Sequence, residues 1–507
     1  MPVPDPETPN ARQLRAAAAL LSSLSPRITE LGELFAAAGH EVALVGGPVR
    51  DAFLGREAGD FDLTTDAPPE RVIEIAGGWA DAVWTIGIEF GTVGLRKGRT
   101  TFEVTTYRSE SYQRTSRKPA VRYGRSLTED LSRRDFTVNA MAARLPGYQL
   151  EDPFGGLADL RQKLLRTPGP PQVSFTDDPL RILRAARFGA QLGFTVAPET
   201  RAAMTEFARL LAPPKVSAER IQGELTKLLT SRLPGGPAAG IAMLTETAVA
   251  DQVLPEIPAL RLEADEHFRH KDVYQHTLTV LTQAIELEPR YDLEPDLRLR
   301  LAALLHDIGK PRTRSKLPDG RVAFHHHEVV GAKMTQRRLS QLRYSKEVVA
   351  DVSKLVELHL RFHGYGEGEW TDSAVRRYVT DAGPLLTRLH ALTRADCTTR
   401  NKAKAQRLAA AYDHLEARIK ELEAREEFDK IRPDIDGHEI MAILGVPEGP
   451  VVGQAWAYLK ELRLERGPLD HDTAVAELRA WAKRRGMVLP PAGGDRPQPP
   501  GEEPRDR

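Results

Sequence analysis

The chain has 507 residues, several times the commonest domain size, which predicts three or more domains rather than a single core. Its 71 Lys and Arg balance its 71 Asp and Glu, so any nucleic acid would have to be bound by local basic clusters instead of a global positive field. Cys397 is the only cysteine, so we expect no internal disulfide. The N-terminus has no cleavable signal pattern, and no apolar run approaches the roughly 20 residues of a membrane helix. We therefore expect a cytoplasmic protein with no membrane partner.

Short apolar segments with β-branched residues dominate the first part of the chain, such as EVALVGG (41–47) and GTVGLRK (91–97). Helical patterns such as PERVIEIAGG (69–78) lie between them. From residue 177 onward strand signals almost vanish and apolar residues recur every three or four positions, as in LRLRLAALLHDIGK (297–310). The predicted fold class is α+β, with a small α/β head followed by an extended all-α region.

The segment LVGGPVRDAFLG (44–55) reads as a strand that ends in two glycines and turns at once into a helix opening near Pro48. Gly46 and Gly47 let a ligand approach the backbone, the new helix offers unpaired N–H groups, and Arg50 lies in its first turn. These features outline a phosphate site, although a Gly-Gly turn can also serve chain reversal alone.

Two aspartates stand one residue apart in the next predicted strand, DFDLTT (60–65). Strand side chains alternate, so Asp60 and Asp62 point to one face about 7 Å apart, and two ionised carboxylates at that distance repel unless a cation neutralises them. Oxygen ligands of this kind suit Mg²⁺, and two such ions can deprotonate a hydroxyl and stabilise a leaving pyrophosphate. Glu103, in TTFEVTTYR, is a third candidate for the same cleft; the alternatives are a solvated strand face for the pair and a surface glutamate on an edge strand for Glu103.

Five strings in this order, LVGGPVRD, DFDLTT, FGTV, LSRRDFTVNAMA and DPFGGLADL, resemble the class II tRNA nucleotidyltransferases and the related bacterial poly(A) polymerases. The resemblance implies a polymerase-β-like head in which Asp60 and Asp62 bind Mg²⁺. It also implies that Gly47, Arg50 and Arg134 hold the triphosphate of CTP or ATP. A basic segment, 108–130, resembles the loop that helps this family to switch from C to A addition.

The segment TDDPLRILRAARF (176–188) predicts a helix capped by Thr176 or Asp177, with Pro179 in its first turn. Asp178 and Arg181 are three residues apart and are therefore expected to be neighbours on the helix surface. The alternative is a capped amphipathic helix with surface ion pairs.

An aspartate and an arginine side by side can distinguish bases without a template. A carboxylate accepts from the exocyclic amine of cytosine or adenine and a guanidinium donates to the adjacent ring nitrogen, whereas guanine and uracil present the opposite pattern. In the family that the chain resembles, the corresponding residues read the incoming base. The resemblance therefore implies this role for Asp178 and Arg181, and triphosphate binding for Arg184 and Arg187.

The segment LLHDIGKP (304–311) places His306 beside Asp307 after an apolar helix, with further His and Asp residues on either side. Separated imidazoles and carboxylates of this kind suit a divalent transition metal, and the string resembles the HD phosphohydrolase superfamily. The predicted ligands are His276, His306, Asp307, His327 and Asp396. His327 is preferred to its neighbour His326, and His359 is a further candidate. In the wider family, such a domain can hydrolyse 2′-phosphate or 2′,3′-cyclic phosphate ends.

The predicted function is template-independent addition of CCA, from CTP, CTP and ATP, to the 3′ end of tRNA. A relative that adds only CC, only A or a poly(A) tail is the alternative within this chemistry. A phosphohydrolase acting through the HD site, with a head that only binds nucleotide or RNA, is the alternative from another class. No protein partner can be inferred from the sequence. The predicted domains are a flexible N-terminus (1–25), the head (26–165), a helical neck for base reading and RNA binding (166–260), the HD domain (261–400), a helical C-terminal body (401–488) and a disordered tail (489–507).

Overall fold

The structure is a computed structural model that divides into two compact units, 1–356 and 357–507. Of the ends predicted to lack structure, 1–25 and 489–507, residues 1–17 and 491–507 lie outside the described residues, as does most of the basic segment 108–130. None of the helices in the described part of the chain combines the length and apolar character needed to cross a membrane. The described residues are 18–490 except 22, 24–25, 57–59, 108–123, 125, 214, 263–271, 319–321, 363–369, 399–400 and 427–432.

The head is built on a mixed sheet of seven described strands in the order β3-β4-β5-β2-β1-β6-β7. Strands β2 and β5 run parallel, and the other described pairs in this sheet are antiparallel. The first strand is buried throughout because its four residues are all apolar and it lies inside the sheet. The strands are β1 (Val42–Val45), β2 (Asp60–Thr65), β3 (Ala82–Trp84), β4 (Thr92–Lys97), β5 (Thr100–Thr106), β6 (Ala142–Arg144) and β7 (Gln149–Glu151).

Helices of the head and neck follow the apolar periodicity of the sequence. The first helix buries Ile28, Leu31 and Phe35, which recur every three or four residues and so share one face. The head and neck helices are α1 (Pro26–Ala37), α2 (Gly47–Phe53), α3 (Pro69–Ala76), α4 (Leu127–Ser132), α5 (Gly156–Gln162), α6 (Pro171–Asp177), α7 (Leu180–Leu192), α8 (Pro198–Phe207), α9 (Ala218–Leu229), α10 (Gly236–Glu246), α11 (Ala250–Val253) and α12 (Glu256–Ala259).

The rest of the first unit is helical, as the sequence predicts, apart from short strands. Two short two-stranded sheets pair β8 (Leu164–Leu165) with β9 (Thr195–Val196) and β10 (Arg314–Lys316) with β11 (Val322–Phe324). These strands have two or three residues each, too few for a periodic signal in the sequence. The helices are α13 (Val273–Leu287), α14 (Leu297–Leu305), α15 (Lys310–Thr313), α16 (His327–Gln341) and α17 (Lys346–Leu358).

Helices are the only regular secondary structure in the described residues of the second unit. Its last three helices form a core of their own around Ile440, Leu459, Leu478 and Trp481. The predicted α+β class, with a mixed-sheet head and a helical remainder, is therefore confirmed. The helices are α18 (Asp372–Ala382), α19 (Leu386–Asp396), α20 (Lys402–Glu426), α21 (Gly437–Leu444), α22 (Pro450–Arg466) and α23 (His471–Arg484).

Candidate active site

Three acidic side chains share one face of the head sheet. Asp60 and Asp62 alternate along β2 with buried Phe61, and Asp62 pairs in register with Glu103 of the parallel strand β5. Paired residues on neighbouring strands point to the same side, so Glu103 stands beside Asp62. The opposite face is apolar, where the rings of Phe61 and Phe102 stack 5.7 Å apart. Strand pairing thus brings together the three carboxylates that the sequence singled out.

Burial and neighbouring negative charge raise the pKa of two of these carboxyls, Asp62 and Glu103. Desolvation raises the pKa of Asp62, the charge of Asp60 adds to the effect, and the guanidinium of Arg134 opposes it. Glu103 also has a raised pKa, because of desolvation and then the charges of Asp62 and Asp60. A carboxylate whose charged form is disfavoured by like charges is stabilised by a cation placed between them. The donor set, made only of oxygens on an exposed face, fits Mg²⁺.

The double-glycine turn lies at the end of β1, next to β2 in the sheet. Gly46 has φ 73° and ψ −128°, a conformation that essentially only glycine adopts, and a methyl group there would lie 3.0 Å from Nη1 of Arg134. A methyl group on Gly47 would lie 3.7 Å from Nη2 of Arg50. Two guanidiniums therefore flank a turn whose two glycines carry no side chains, and this turn lies beside the acidic face.

Arg50 is buried and held in place by two neighbours. It donates from Nε and Nη2 to the two carboxylate oxygens of Asp51, at 2.9 and 2.8 Å, and from Nη1 to Oδ1 of Asn139 at 2.7 Å. Asn139 in turn donates to Oδ1 of Asp135 at 2.9 Å. Asp135 and Asn139 belong to the string RRDFTVNA. This string therefore contacts the surroundings of the glycine turn in two ways, through the hydrogen bonds to Arg50 and through Arg134.

The predicted start of the base-reading helix is wrong. Thr176 and Asp177 end α6, Asp178 is extended at φ −138° and ψ 96°, and α7 begins at Leu180. The reason is Pro179, whose ring disfavours helical backbone at the preceding residue and so breaks one predicted helix into two.

The break gives Asp178 and Arg181 separate partners. Both carboxylate oxygens of Asp178 lie 3.1 Å from Nη2 of Arg220 on α9, and Oδ1 also accepts from the backbone N–H of Leu180 at 3.2 Å. Arg181 donates to Oγ of Ser174 at 2.8 Å and to the backbone carbonyl of Arg133. The two predicted base readers flank the start of α7. The sequence reasoning missed Arg220, whose exposed basic side chain has no distinctive signal.

Arg184 and Arg187 share a buried carboxylate that the sequence reasoning also missed. Oε2 of Glu224, on α9, lies 2.6 Å from Nε of Arg187, and its Oε1 lies 3.3 Å from Nε of Arg184. Arg184 reaches Oδ2 of Asp135 as well, at 3.3 Å. Arg187 lies over the Phe188 ring, 3.9 Å from its centroid. The available signal was a glutamate among the buried Ile221, Leu225 and Leu228 face of its helix.

Burial and ion pairing oppose each other in this arginine cluster. Desolvation alone would lower the pKa of Arg184, but the charges of Asp135 and Glu224 outweigh it and leave that pKa raised. For Arg187, desolvation prevails and the pKa is lowered. Asp135 shows the converse, since desolvation is outweighed by Arg184 and by the Asn139 hydrogen bond, and its pKa is lowered. The cluster is thus a compact set of charges that joins the head to α7 and α9.

A second cluster gathers His276 from α13, His306 and Asp307 just after α14, and His327 at the start of α16. Nε2 of His306, His327 and His276 lies 3.2, 3.3 and 3.7 Å from a carboxylate oxygen of Asp307. Nδ1 of His306 faces the carbonyl of Ala303 at 2.9 Å, and Nδ1 of His327 faces that of Phe324 at 2.8 Å. Because a carbonyl only accepts, each Nδ1 donates and Nε2 is the atom directed at Asp307, as in metal-binding histidines.

The surroundings of Asp307 in this second cluster strongly favour its ionised form. Desolvation of buried Asp307 is outweighed by the charges of His306 and Lys310, which hold its pKa well below the usual range. Nζ of Lys310 lies 2.9 Å from Oδ2. His326 has an 84% exposed side chain, whereas His327 is buried; the choice of His327 as a ligand stays a prediction. Asp396, at the end of α19, and His359 belong to the second unit, so their assignment as ligands stays a prediction.

A mixed sheet with three carboxylates on one face, followed by an arginine-rich helical neck, is the architecture of a nucleotidyltransferase with a polymerase-type head. Residues 42–166 match the poly A polymerase head domain, 193–260 the probable RNA and SrmB-binding site of polymerase A, and 273–401 the HD domain. An A-adding tRNA nucleotidyltransferase from Deinococcus radiodurans is 33% identical over 446 residues, 87% of this chain and 95% of that protein. The chain belongs to the family of tRNA nucleotidyltransferases and poly(A) polymerases, as its motifs predict.

Other relatives match a smaller part or show the fold alone. A CCA-adding enzyme of Levilactobacillus brevis is 48% identical over 198 residues, 39% of this chain and 48% of that enzyme, so the match spans about half of its length. The structure of the Bacillus stearothermophilus CCA-adding enzyme with CTP has a TM-score of 0.64, covering 94% of this chain and 99% of that one at 24% identity. The Thermotoga maritima enzyme complexed with tRNA has a TM-score of 0.59 at 19% identity, over 92% and 98% of the two chains.

Proposed function

We propose that this chain adds CCA to the 3′ end of tRNA without a template, by transferring nucleotides from CTP and ATP, and that the transfer depends on Mg²⁺. One observation carries the proposal: Asp60, Asp62 and Glu103 share an exposed sheet face next to a double-glycine turn flanked by Arg50 and Arg134. A set of oxygen ligands beside a cationic turn suits a nucleoside triphosphate and its metal. Membership of the family supports tRNA as the acceptor.

In this proposal, Asp60, Asp62 and Glu103 would hold Mg²⁺. When bound, the ions supply charge that lowers the pKa of an attacking hydroxyl and stabilises the leaving pyrophosphate. Gly46 and Gly47 allow the phosphates to approach the backbone, while Arg50 and Arg134 neutralise them. The contacts of Arg50 with Asp51 and Asn139 keep its guanidinium in one orientation, which avoids reorganisation when the triphosphate arrives.

Base choice is assigned to Asp178 and Arg181 in the same proposal. A carboxylate and a guanidinium on either side of the α7 start offer the acceptor and donor that cytosine and adenine share. Asp178 must exchange its contact with Arg220 for one with the exocyclic amine of the base. Arg184 and Arg187 remain anchored to Glu224 and Asp135, so they would contribute positive charge from fixed positions.

The test is incorporation of labelled CTP and ATP on a tRNA that lacks its 3′ CCA. We expect three nucleotides in the order C, C, A, complete loss of incorporation in Asp60→Ala and Asp62→Ala, and loss in the presence of a chelator that Mg²⁺ restores. Incorporation that survives both substitutions would refute the head assignment. Asp178→Ala should admit UTP and GTP; unchanged discrimination would refute the base-reading role.

A specific observation also favours addition of A alone. The relative that the chain matches over 95% of its length is named an A-adding tRNA nucleotidyltransferase, whereas the match to the Levilactobacillus brevis CCA-adding enzyme covers 48% of that enzyme. Two substrates separate the alternatives: a tRNA ending before the first C and one ending in CC. An enzyme that extends only the second adds A alone, whereas the CCA-adding reaction extends both.

The second cluster supports a phosphohydrolase activity on phosphorylated RNA ends. His276, His306, Asp307 and His327 would hold a divalent transition metal, whose role when bound is to activate water. Asp307→Asn is expected to abolish both the release of phosphate from 2′-phosphate ends and the opening of 2′,3′-cyclic phosphate ends to a phosphomonoester, while nucleotide incorporation persists. The proposal fails if the wild-type protein, supplied in turn with Mn²⁺, Ni²⁺, Co²⁺ and Zn²⁺, neither releases phosphate from the first substrate nor opens the ring of the second.

A further inference from the structure

An indole ring lies on the same face of the head sheet as the carboxylates. Trp84 of β3 pairs with Gly94 of β4, Gly94 pairs with Glu103 of β5, and Glu103 pairs with Asp62 of β2. Residues in one such row point to the same side of the sheet. Trp84, Glu103 and Asp62 therefore face the same space, with only Gly94 between the indole and the acidic side chains.

The glycine in this row lets the indole lie flat along the sheet. A methyl group at position 94 would lie 1.9 Å from Cε2 and 2.0 Å from Nε1 of Trp84, so the ring occupies the place of a side chain. Trp84 is half-buried, and one side of its ring rests on the strand. Arg96 stands two residues further along β4, on the same face, and is exposed. Proteins that bind single-stranded nucleic acid combine aromatic rings, on which bases stack, with basic side chains that contact the backbone.

The sheet order defines which part of the substrate can reach this ring. The double-glycine turn follows β1, on one side of β2, whereas β5, β4 and β3 lie on the other side. In an in-line displacement, the attacking hydroxyl and the leaving pyrophosphate lie on opposite sides of the phosphorus. If the triphosphate is on the β1 side, the terminal nucleotide of the acceptor enters from the β3 side. With strands about 4.8 Å apart, Gly94 is about 10 Å from Asp62, a separation comparable with the length of a nucleotide.

We infer that Trp84 is the stacking platform for the 3′-terminal base of the RNA acceptor, and that Arg96 contacts the phosphate of that nucleotide. This inference rests on the proposed function and adds a binding site for the acceptor on the head. Stacking accepts any base, because every base has a π face. That property suits an acceptor whose terminal residue changes with each addition.

The test compares Trp84→Leu, which removes the aromatic ring, with Trp84→Phe, which keeps one. Each variant is assayed on a tRNA acceptor and on the same acceptor with an abasic 3′-terminal nucleotide. We expect Trp84→Leu to raise the KM for the normal acceptor between about fivefold and 150-fold, as loss of one stacked base does, with the KM for CTP and ATP unchanged. Trp84→Phe should restore most of the affinity, and Trp84→Leu should match the wild type on the abasic acceptor.

Two matched variants separate stacking from other effects. Val83→Ala changes the neighbouring residue, which points to the opposite face and is 37% exposed, and should leave the acceptor KM unchanged. Arg96→Gln should weaken both acceptors equally and reduce the salt dependence of binding, because a phosphate contact does not depend on the base.

Fluorescence gives a measurement that does not require turnover. The chain has five tryptophans, and the quenching caused by RNA without metal or nucleotide should be smaller in Trp84→Phe. Equal quenching in wild type and Trp84→Phe, or an equal rise of KM on normal and abasic acceptors in Trp84→Leu, would overturn the inference. A wild-type protein that extends no acceptor would instead refute the proposed function, and the fluorescence comparison would still decide whether RNA contacts Trp84.

Discussion

Glu224→Gln tests whether one buried carboxylate holds the arginines of the neck. The substitution keeps the shape of the side chain and removes its charge. The Glu224 side chain is only 6% exposed, and its oxygens lie 2.6 Å from Arg187 and 3.3 Å from Arg184. Arg184 keeps Asp135 as a counter-charge at 3.3 Å. Arg187 loses the closer of the two contacts while remaining buried.

The size of the expected loss of stability depends on this difference between Arg184 and Arg187. Breaking a buried ion pair by removing one partner costs about 3–5 kcal/mol, because an uncompensated charge is left behind. Since only Arg187 loses its counter-charge, we expect the lower end, a loss of about 3 kcal/mol in the free energy of unfolding. The loosened guanidiniums should also raise the KM for CTP and ATP, while the KM for the tRNA acceptor stays unchanged.

The assay is urea unfolding followed by circular dichroism, with the m-value compared between variants. Glu219→Gln is the matched control, since Glu219 lies on the same helix with a 65% exposed side chain and a long ion pair of 3.8 Å to Arg343. It should leave the urea midpoint unchanged. The double variant Glu224→Gln with Arg187→Gln should lose less stability than the two single variants summed. A Glu224→Gln protein that unfolds at the wild-type midpoint would refute the reasoning.

Three further predictions concern other parts of the chain. Asp62→Asn should stabilise the metal-free protein at neutral pH and not at acid pH. The pKa of Asp62 is raised, so the ionised carboxylate destabilises the folded state increasingly as pH rises through that pKa. Thermal unfolding at a series of pH values checks this. His390 has a pKa lowered to about 4 by burial, so the second unit should lose about 3 kcal/mol of stability as pH falls from about 6.5 to 4. His390→Gln should abolish that loss, and an unchanged acid limb in urea titrations would contradict the assignment. Gly46→Ala should lower the free energy of unfolding by about 1–3 kcal/mol because of its strained φ, and should also raise the KM for CTP by displacing Arg134. Gly55→Ala is the control, since Gly55 also has a positive φ, 67°, but has open space around it, and it should alter stability alone.

Much of the head could be predicted because its signals are local. Alternation of Asp60, Phe61 and Asp62 along a strand was enough to place both carboxylates on one face. The double glycine before Pro48 predicted a turn into a helix, and α2 begins at Gly47. Ordered motifs along the chain then indicated the family, which the match to the Deinococcus radiodurans protein confirmed.

The error at α7 shows where local reasoning failed. Capping preference favoured a helix from Thr176, but the effect of Pro179 on Asp178 prevailed and left that residue extended. The carboxylate beside Glu103 lies on a partner strand about 40 positions away in the chain, so alternation within its own strand could not identify that neighbour.

The sequence by itself determined the family, the α+β class and the candidate site residues, because each depends on short strings read in order. Only the tertiary structure decided which residues surround them. Strand register set Glu103 beside Asp62 and directed Trp84 along the same face. Packing of α9 on α7 placed Glu224 in an ion pair with Arg187, and Arg220 in an ion pair with Asp178. These pairs are distant in sequence, and the register and helix packing that join them arise from the free energy of the whole core rather than from any local pattern.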